Sequence, residues 1–232
     1  MKRSFAFAGM GLCLMLFAGC AGNAPSRYYV LSPLAGEGKV TSEESCVSVG
    51  MGPIKLPEYL NRPQIATRTA PNELVLSYFD LWAEPLTDSV PRILAENISR
   101  LVCTREVALF PWKPSRVPDY RVEVELLQMD GTLGGTVFLE AWWTIFTGGE
   151  KKACVIKRSS YSEPVTGKGY DTLVQAHSHL LAALSHDIAG ALEELGAPSP
   201  PERRTKESLY FDQNNEAAWA KNGGDHSEPV QE

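Results

Sequence analysis

The clearest pattern in the chain is a strict alternation over residues 120–126. Tyr120, Val122, Val124 and Leu126 fall on one side, and Arg121, Glu123 and Glu125 on the other. A period of two with one apolar face predicts a strand lying on a core with its other face in solvent. Weaker forms recur. Val47, Val49 and Met51 alternate within 46–51. Segments 64–69 and 73–79 flank the turn Ala70-Pro71-Asn72, and 136–146 and 153–161 flank Gly148-Gly149-Glu150, giving two expected hairpins. Tyr28-Tyr29-Val30-Leu31 reads as a short first strand ended by Ser32-Pro33. Pro53, Pro57 and Pro63 bracket a turn region around residues 58–62.

Two stretches change period. From Pro85, Leu86, Val90, Leu94, Ile98 and Leu101 recur at helical spacing, with Ile93 and Val102 widening the stripe. Asp88 suits the N-terminal end of that helix, Thr87 is a candidate cap, and Pro91 fits only in a first turn. Over 171–195, Leu173, Val174, His177, Leu180, Leu181, Leu184, Ile188, Leu192 and Leu195 form a second stripe, and Gly196 is a stop signal. The expected fold is α+β: an antiparallel or mixed sheet of about six strands with two long helices packed on one face.

The two ends of the chain read differently. Lys2 and Arg3 precede an almost wholly apolar run, 5–17, and Ala18 and Gly19 lead into Cys20. This has the layout of a secretory signal peptide. The run is short of the about 20 apolar residues that a spanning helix needs. Phe17-Ala18-Gly19-Cys20 resembles a bacterial lipobox, with Phe17 where Leu is commonest. The resemblance implies cleavage before Cys20 and acylation of its thiol and new amine. Several acyl chains, at about 0.8 kcal/mol per buried methylene, make such an anchor effectively permanent. Ala21 in place of Asp implies transfer to the outer membrane. The expected organisation is a signal peptide over 1–19, a lipidated tether over 20–26, one domain over 27–197 and a mostly disordered tail over 198–232. The tail is Pro-broken and polar, with Leu209, Tyr210, Phe211 and Trp219 as sparse apolar exceptions.

Composition removes several classes. Loss of Lys2 and Arg3 takes the net charge from −6 to −8, which argues against nucleic acid as a partner and supplies no polybasic patch for anionic lipid. Cys46, Cys103 and Cys154 remain in an oxidising compartment; they allow one bridge in three pairings and one leftover thiol. No nucleophile, phosphate-loop or zinc-protease motif is found, so no catalytic residue is assigned. His177 and His179 point in different directions on a helix, and His179 and His186 lie roughly 10.5 Å apart along it. No metal ligand and no cofactor is assigned. Adjacent Trp142 and Trp143 in one strand must face opposite sides, one entering the core and one on the outer face.

An ordered set of residues carries a family resemblance. Tyr28-Tyr29-Val30-Leu31 is followed by Pro57-Glu58-Tyr59-Leu60-Asn61-Arg62-Pro63-Gln64-Ile65, then by Asn72-Glu73-Leu74 and by Trp82-Ala83-Glu84-Pro85-Leu86. Tyr120-Arg121-Val122, Leu139-Glu140-Ala141-Trp142 and Tyr170 complete it. Over about residues 27–197 the chain resembles the ABC-type transport auxiliary lipoprotein family, whose best-known branch serves the paraquat-inducible intermembrane system. The three cysteines and the tail have no counterpart in that pattern. The resemblance implies a non-enzymatic lipoprotein on the periplasmic face of a Gram-negative outer membrane. It also implies a homo-oligomer that docks a periplasmic MCE-domain protein working with an inner-membrane permease and ATPase, moving lipids or other hydrophobic molecules. Tyr59, Leu60, Arg62, Trp82, Trp142 and Trp143 are the candidate partner contacts, with loop packing and helix capping as the plainer role for Tyr59, Leu60, Arg62 and Trp82. A carrier that holds an acyl chain between its sheet and helices is the alternative.

Overall fold

A computed structural model describes residues 25–36, 46–112, 117–148 and 152–196. The expected signal peptide, the Cys20 lipidation site, most of the tether and the tail lie outside the described residues. In order, the elements are β1 (Arg27–Tyr29), β2 (Val47–Lys55), a 3-10 turn (Glu58–Leu60), β3 (Gln64–Ala70), β4 (Glu73–Trp82), α1 (Leu86–Leu101), β5 (Thr104–Leu109), β6 (Tyr120–Gly131), β7 (Thr136–Thr147), β8 (Ala153–Pro164) and α2 (Tyr170–Leu195).

The chain is α+β, and the described strands form two mixed sheets rather than one. A three-stranded sheet has the order β1-β4-β3, and a five-stranded sheet the order β5-β2-β6-β7-β8. β1 runs parallel to β4, and β2 runs parallel to both β5 and β6; the pairs β3–β4, β6–β7 and β7–β8 are antiparallel. Parallel neighbours cannot be joined by a tight turn. The chain therefore leaves β2, builds the β3–β4 hairpin, and returns through α1 to lay β5 beside β2. That crossover seats α1 on β2 and β5, while α2 covers β6, β7 and β8 and packs beside α1.

The predicted stripes fill this interface. Leu86, Val90, Leu94 and Ile98 of α1 and Leu173, Leu181, Leu184 and Ile188 of α2 meet Val49, Met51, Val122, Val124, Leu126, Leu139, Trp143 and Ile145 of the sheet, all fully or nearly fully buried. Each large aliphatic side chain so buried stabilises the fold by roughly 1.5–3 kcal/mol. Between the helices, buried Asn97 donates to Ser185 Oγ (3.1 Å) and accepts from Leu34 N (2.8 Å); Ser32 N donates to Ser178 Oγ (3.1 Å). These bonds fasten the segment after β1 across both helices.

Three local expectations change, and one strand has no counterpart in the sequence reading. β2 continues past Met51 to Lys55, because Pro53, which has no N–H, falls where the β2–β6 register shifts between Met51 and Ile54. β5 was not legible: Thr104–Leu109 is half-buried and lies at a sheet edge, so no alternation marks it. Thr87 does not cap α1; Pro85 occupies the N-cap position and its carbonyl accepts from Asp88 N and Ser89 N. Pro91 sits beyond the first turn, inside α1, where its ring leaves the carbonyl of solvent-exposed Thr87 to water. At the far end of the β6–β7 hairpin, Gly148 N donates to Asp119 O (2.8 Å), and a Cβ there would lie 1.4 Å from Pro118 O. Glycine is obligatory at that close approach.

Candidate partner-binding face

Trp142 and Trp143 divide between the two faces of β7. Trp143 is 1% exposed and packs in the core. Its Nε1 donates to Ser159 Oγ (3.0 Å), which donates to Asp187 Oδ2 (3.0 Å), an oxygen also reached by Tyr161 OH. The indole N–H of a buried Trp needs such a partner, and this relay ties β7 and β8 to α2. Burial and Asp187 together hold the Tyr161 phenol well above its usual value.

Trp142 lies on the opposite face and is 44% exposed. The register sets it between Glu125 of β6 and Arg158 of β8. The Arg158 guanidinium lies 5.9 Å from its ring centre, and Arg158 Nε donates to Glu140 Oε1 (2.7 Å). The ion pair thus holds a cation against the indole face. Phe138 and Ile156 are exposed on the same face, Ile156 at 64%. A rigid Trp–Arg pair with aliphatic and aromatic neighbours has the composition of an interface anchor. Arg158 was not identified from sequence. Its match to Trp142 requires the β7–β8 turn centre to one residue, and a slip of one would reverse every side chain.

The structure does not gather the other contact candidates onto this face. Leu60 is buried beneath the 3-10 turn, Trp82 is buried against His177 (ring centres 6.2 Å apart), and Trp143 is core. These three pack the protein rather than greet a partner. Trp82 N donates to Pro63 O (2.7 Å) and Ala83 N to Tyr29 O (2.8 Å), so the Trp82–Leu86 motif fixes the start of α1. Tyr59 is half-buried, and its OH donates to Asp130 Oδ2 (2.8 Å). Arg62 is exposed. Arg62 and Trp142 remain available for contact.

Asp130, which sequence reasoning did not single out, is fully buried. Arg68 grips it with two bonds, Nε to Oδ1 and an Nη to Oδ2, both 2.8 Å, and Gln128 Nε2 donates to Oδ1 (2.9 Å). Burial pushes the carboxyl pKa up, but the bonds from Arg68, Gln128 and Tyr59 more than offset it and hold it below the usual carboxylate range. The cluster joins the small sheet and the turn to the end of β6.

Cys46 and Cys103 are joined as a disulfide, Cα atoms 4.7 Å apart, and Cys154 is an exposed free thiol. His177 is buried, and its Nδ1 has no hydrogen-bond partner among the described residues. Among the described residues no group of three or more His, Cys, Asp or Glu could hold a metal ion. Burial pushes the His177 pKa down to about 4, with Asp130 pulling the other way. The unfolded chain then binds a proton near the ordinary 6.5 that the folded chain refuses until about 4. Stability is therefore expected to fall as pH drops through that window, by about 3 kcal/mol. Denaturant unfolding at pH 7, 5.5 and 4.5 checks this, and His177→Leu should flatten the slope.

A second concave feature runs along α2. An open groove of about 790 Å³ lies between the 28–35 segment and the helix, with Val174, Ser178 and Ala182 on the helical side. The space between sheet and helices is occupied by core side chains, so an acyl chain in this protein would fit the groove and not the core. No helix among the described residues is long and apolar enough to cross a membrane.

Comparison with known proteins follows the same architecture. A family model described as ABC-type transport auxiliary lipoprotein component matches residues 29–189. The chain is 24% identical over 186 residues to the intermembrane transport lipoprotein PqiC of Escherichia coli (strain K12), covering 79% of this chain and 94% of that protein. Its fold is similar to the crystal structure of an uncharacterized protein (TM-score 0.59, 20% identity, 72% of this chain and 99% of that one). It is also similar to that of a Xanthomonas campestris protein (TM-score 0.56, 14% identity, 71% and 94%).

Proposed function

The chain belongs to the ABC-type transport auxiliary lipoprotein component family, and from that premise we propose that it is a non-enzymatic docking lipoprotein of an intermembrane transport system. In this reading Cys20 carries the lipid and holds the domain on the periplasmic face of the outer membrane. The domain receives a periplasmic MCE-type protein whose inner-membrane permease and ATPase supply the energy for moving lipid or another hydrophobic molecule. Copies of the chain assemble together around the docked partner. The observation that carries a binding role is Trp142, held half-exposed under Arg158 on a face with Phe138 and Ile156. Bond-making chemistry has no part in it; alignment and sealing by surface contacts do.

The test is capture from detergent-solubilised envelopes with the acylated protein as bait. An MCE-domain protein with its permease and ATPase is expected among the captured proteins. Trp142→Ala should reduce affinity in the capture by about thirtyfold or more, since losing an interface hot spot costs about 2 kcal/mol or more. Capture of no MCE-domain protein, or capture indifferent to Trp142→Ala, sinks the reading. The α2 groove favours a second role, a carrier of one acyl chain in the Tyr28–Val174 channel. Native mass spectrometry of protein purified without added lipid decides that role by the presence or absence of a co-purified acyl species.

A further inference from the structure

The small β1-β4-β3 sheet displays a second apolar cluster, remote in sequence from Trp142. On β4, Tyr78 is 83% exposed and Leu76 is exposed; on β1, Tyr28 is 66% exposed. Single exposed apolar residues are ordinary. What distinguishes these is the structure that holds Tyr78 outward. Between the pairs Gln64↔Leu81 and Ala66↔Leu76 the register shifts, so residues 77–80 of β4 bulge opposite Ile65. Ser77 Oγ donates to Asp80 Oδ2 (3.0 Å), and Asp80 N donates back to Ser77 Oγ (2.9 Å), closing the bulge. Tyr78 stacks edge-on against Phe79, ring centres 4.9 Å apart. The same buried Asp80 accepts from Tyr29 OH (2.9 Å) and pairs with Arg27 (2.7 Å). One carboxylate thus fixes both the projecting ring and the first strand. β1 is parallel to β4 with Arg27 opposite Asp80. Pro25, the first described residue, lies two residues before β1 begins.

We propose that the Tyr78 bulge, with Tyr28 and Leu76, is the surface on which the domain rests against the lipid bilayer. The inference rests on the reading that Cys20 is acylated. Cys20 and Pro25 are five residue steps apart, a reach of at most about 18 Å when fully extended. An acylated Cys20 therefore keeps β1, and the sheet it belongs to, close to the membrane. Tyrosine is suited to that boundary because its ring is apolar and its hydroxyl remains in the headgroup layer. Arg27 is engaged by Asp80. The contact is therefore made by shallow insertion of apolar side chains and not by attraction to anionic lipid. Its consequence is orientation: the tether alone would let the domain tumble, whereas a seated bulge fixes which face meets the periplasm.

The test uses the full acylated chain with Cys154→Ser and Tyr78→Cys, labelled at residue 78 with an environment-sensitive fluorophore. A parallel sample carries Cys154→Ser and Trp142→Cys. Both are reconstituted in vesicles of phosphatidylethanolamine and phosphatidylglycerol containing brominated phosphatidylcholine. The label at 78 is expected to shift to the blue and lose emission several-fold to bromine, and the label at 142 to do neither. Intact mass first establishes the acyl groups, so a protein without them refutes the anchor reading and not this one. An acylated protein whose label at 78 stays water-exposed overturns the proposal. So does a label at 78 equally shielded in vesicle-free, unacylated Cys20→Ser protein, which would assign the surface to contact between copies.

Discussion

Breaking the Cys46–Cys103 bond is expected to lower the unfolding free energy by about 4 kcal/mol, the entropy that a cross-link closing a loop of this length removes from the unfolded chain. The bonded residues are 57 apart in sequence. Between them lie β2, the 3-10 turn, the β3–β4 hairpin and α1, so the crossover that creates the parallel β2–β5 pair is closed by one covalent link. Val47 N also donates to Cys103 O (3.1 Å), which places the bond at the first rung of that pair. A domain of this size has about 5–15 kcal/mol of stability in all, so the loss is a large fraction. Denaturant unfolding of the oxidised protein and of a Cys46→Ala, Cys103→Ala variant, both with Cys154→Ser, measures it. Equal midpoints would refute the account. The same bond is what an oxidising compartment permits and a reducing one removes.

Asp130→Ala is expected to cost about 3–5 kcal/mol, the range for removing one partner of a buried ion pair. The substitution deletes the acceptor for Arg68, Tyr59 and Gln128 at once. It strands the charge of Arg68, whose side chain is three-quarters covered in the native pair, with Pro71 O as a carbonyl partner among the described residues. The double substitution Asp130→Leu with Arg68→Met should recover part of the loss, because no charge is then stranded. Chemical denaturation of wild type, single and double variants gives the coupling. A single variant within 1 kcal/mol of wild type would show that the cluster is not what joins the small sheet to β6. Proteolysis should open first at the 58–62 turn, whose Tyr59 loses its anchor.

Of the docking candidates, the outward position of one of Trp142 and Trp143 was legible; which of them it is, and its company, were not. Two adjacent Trp residues in a strand must split between faces, and they do. Arg158 reaches Trp142 only through the β7–β8 register, and Arg68 reaches Asp130 across 62 residues of chain. Tyr78 is exposed because a bulge opens within β4. Nothing in the local sequence Leu74-Val75-Leu76-Ser77-Tyr78-Phe79 distinguishes that from a regular buried strand.

By itself the sequence determined the identity of the long elements, the core stripes of both helices, the Gly196 stop and the family. These depend on periodicity and residue type within a window of ten to twenty residues, where local sterics and solvent exposure decide. The tertiary structure decided that the strands divide into two sheets, that Leu60, Trp82 and Trp143 pack inward, that Cys46 pairs with Cys103, and that Asp80 and Asp130 bind distant parts of the chain. Each of those depends on which remote segment is brought alongside. That is set by register and crossover geometry across tens of residues, to which no short window of sequence is sensitive.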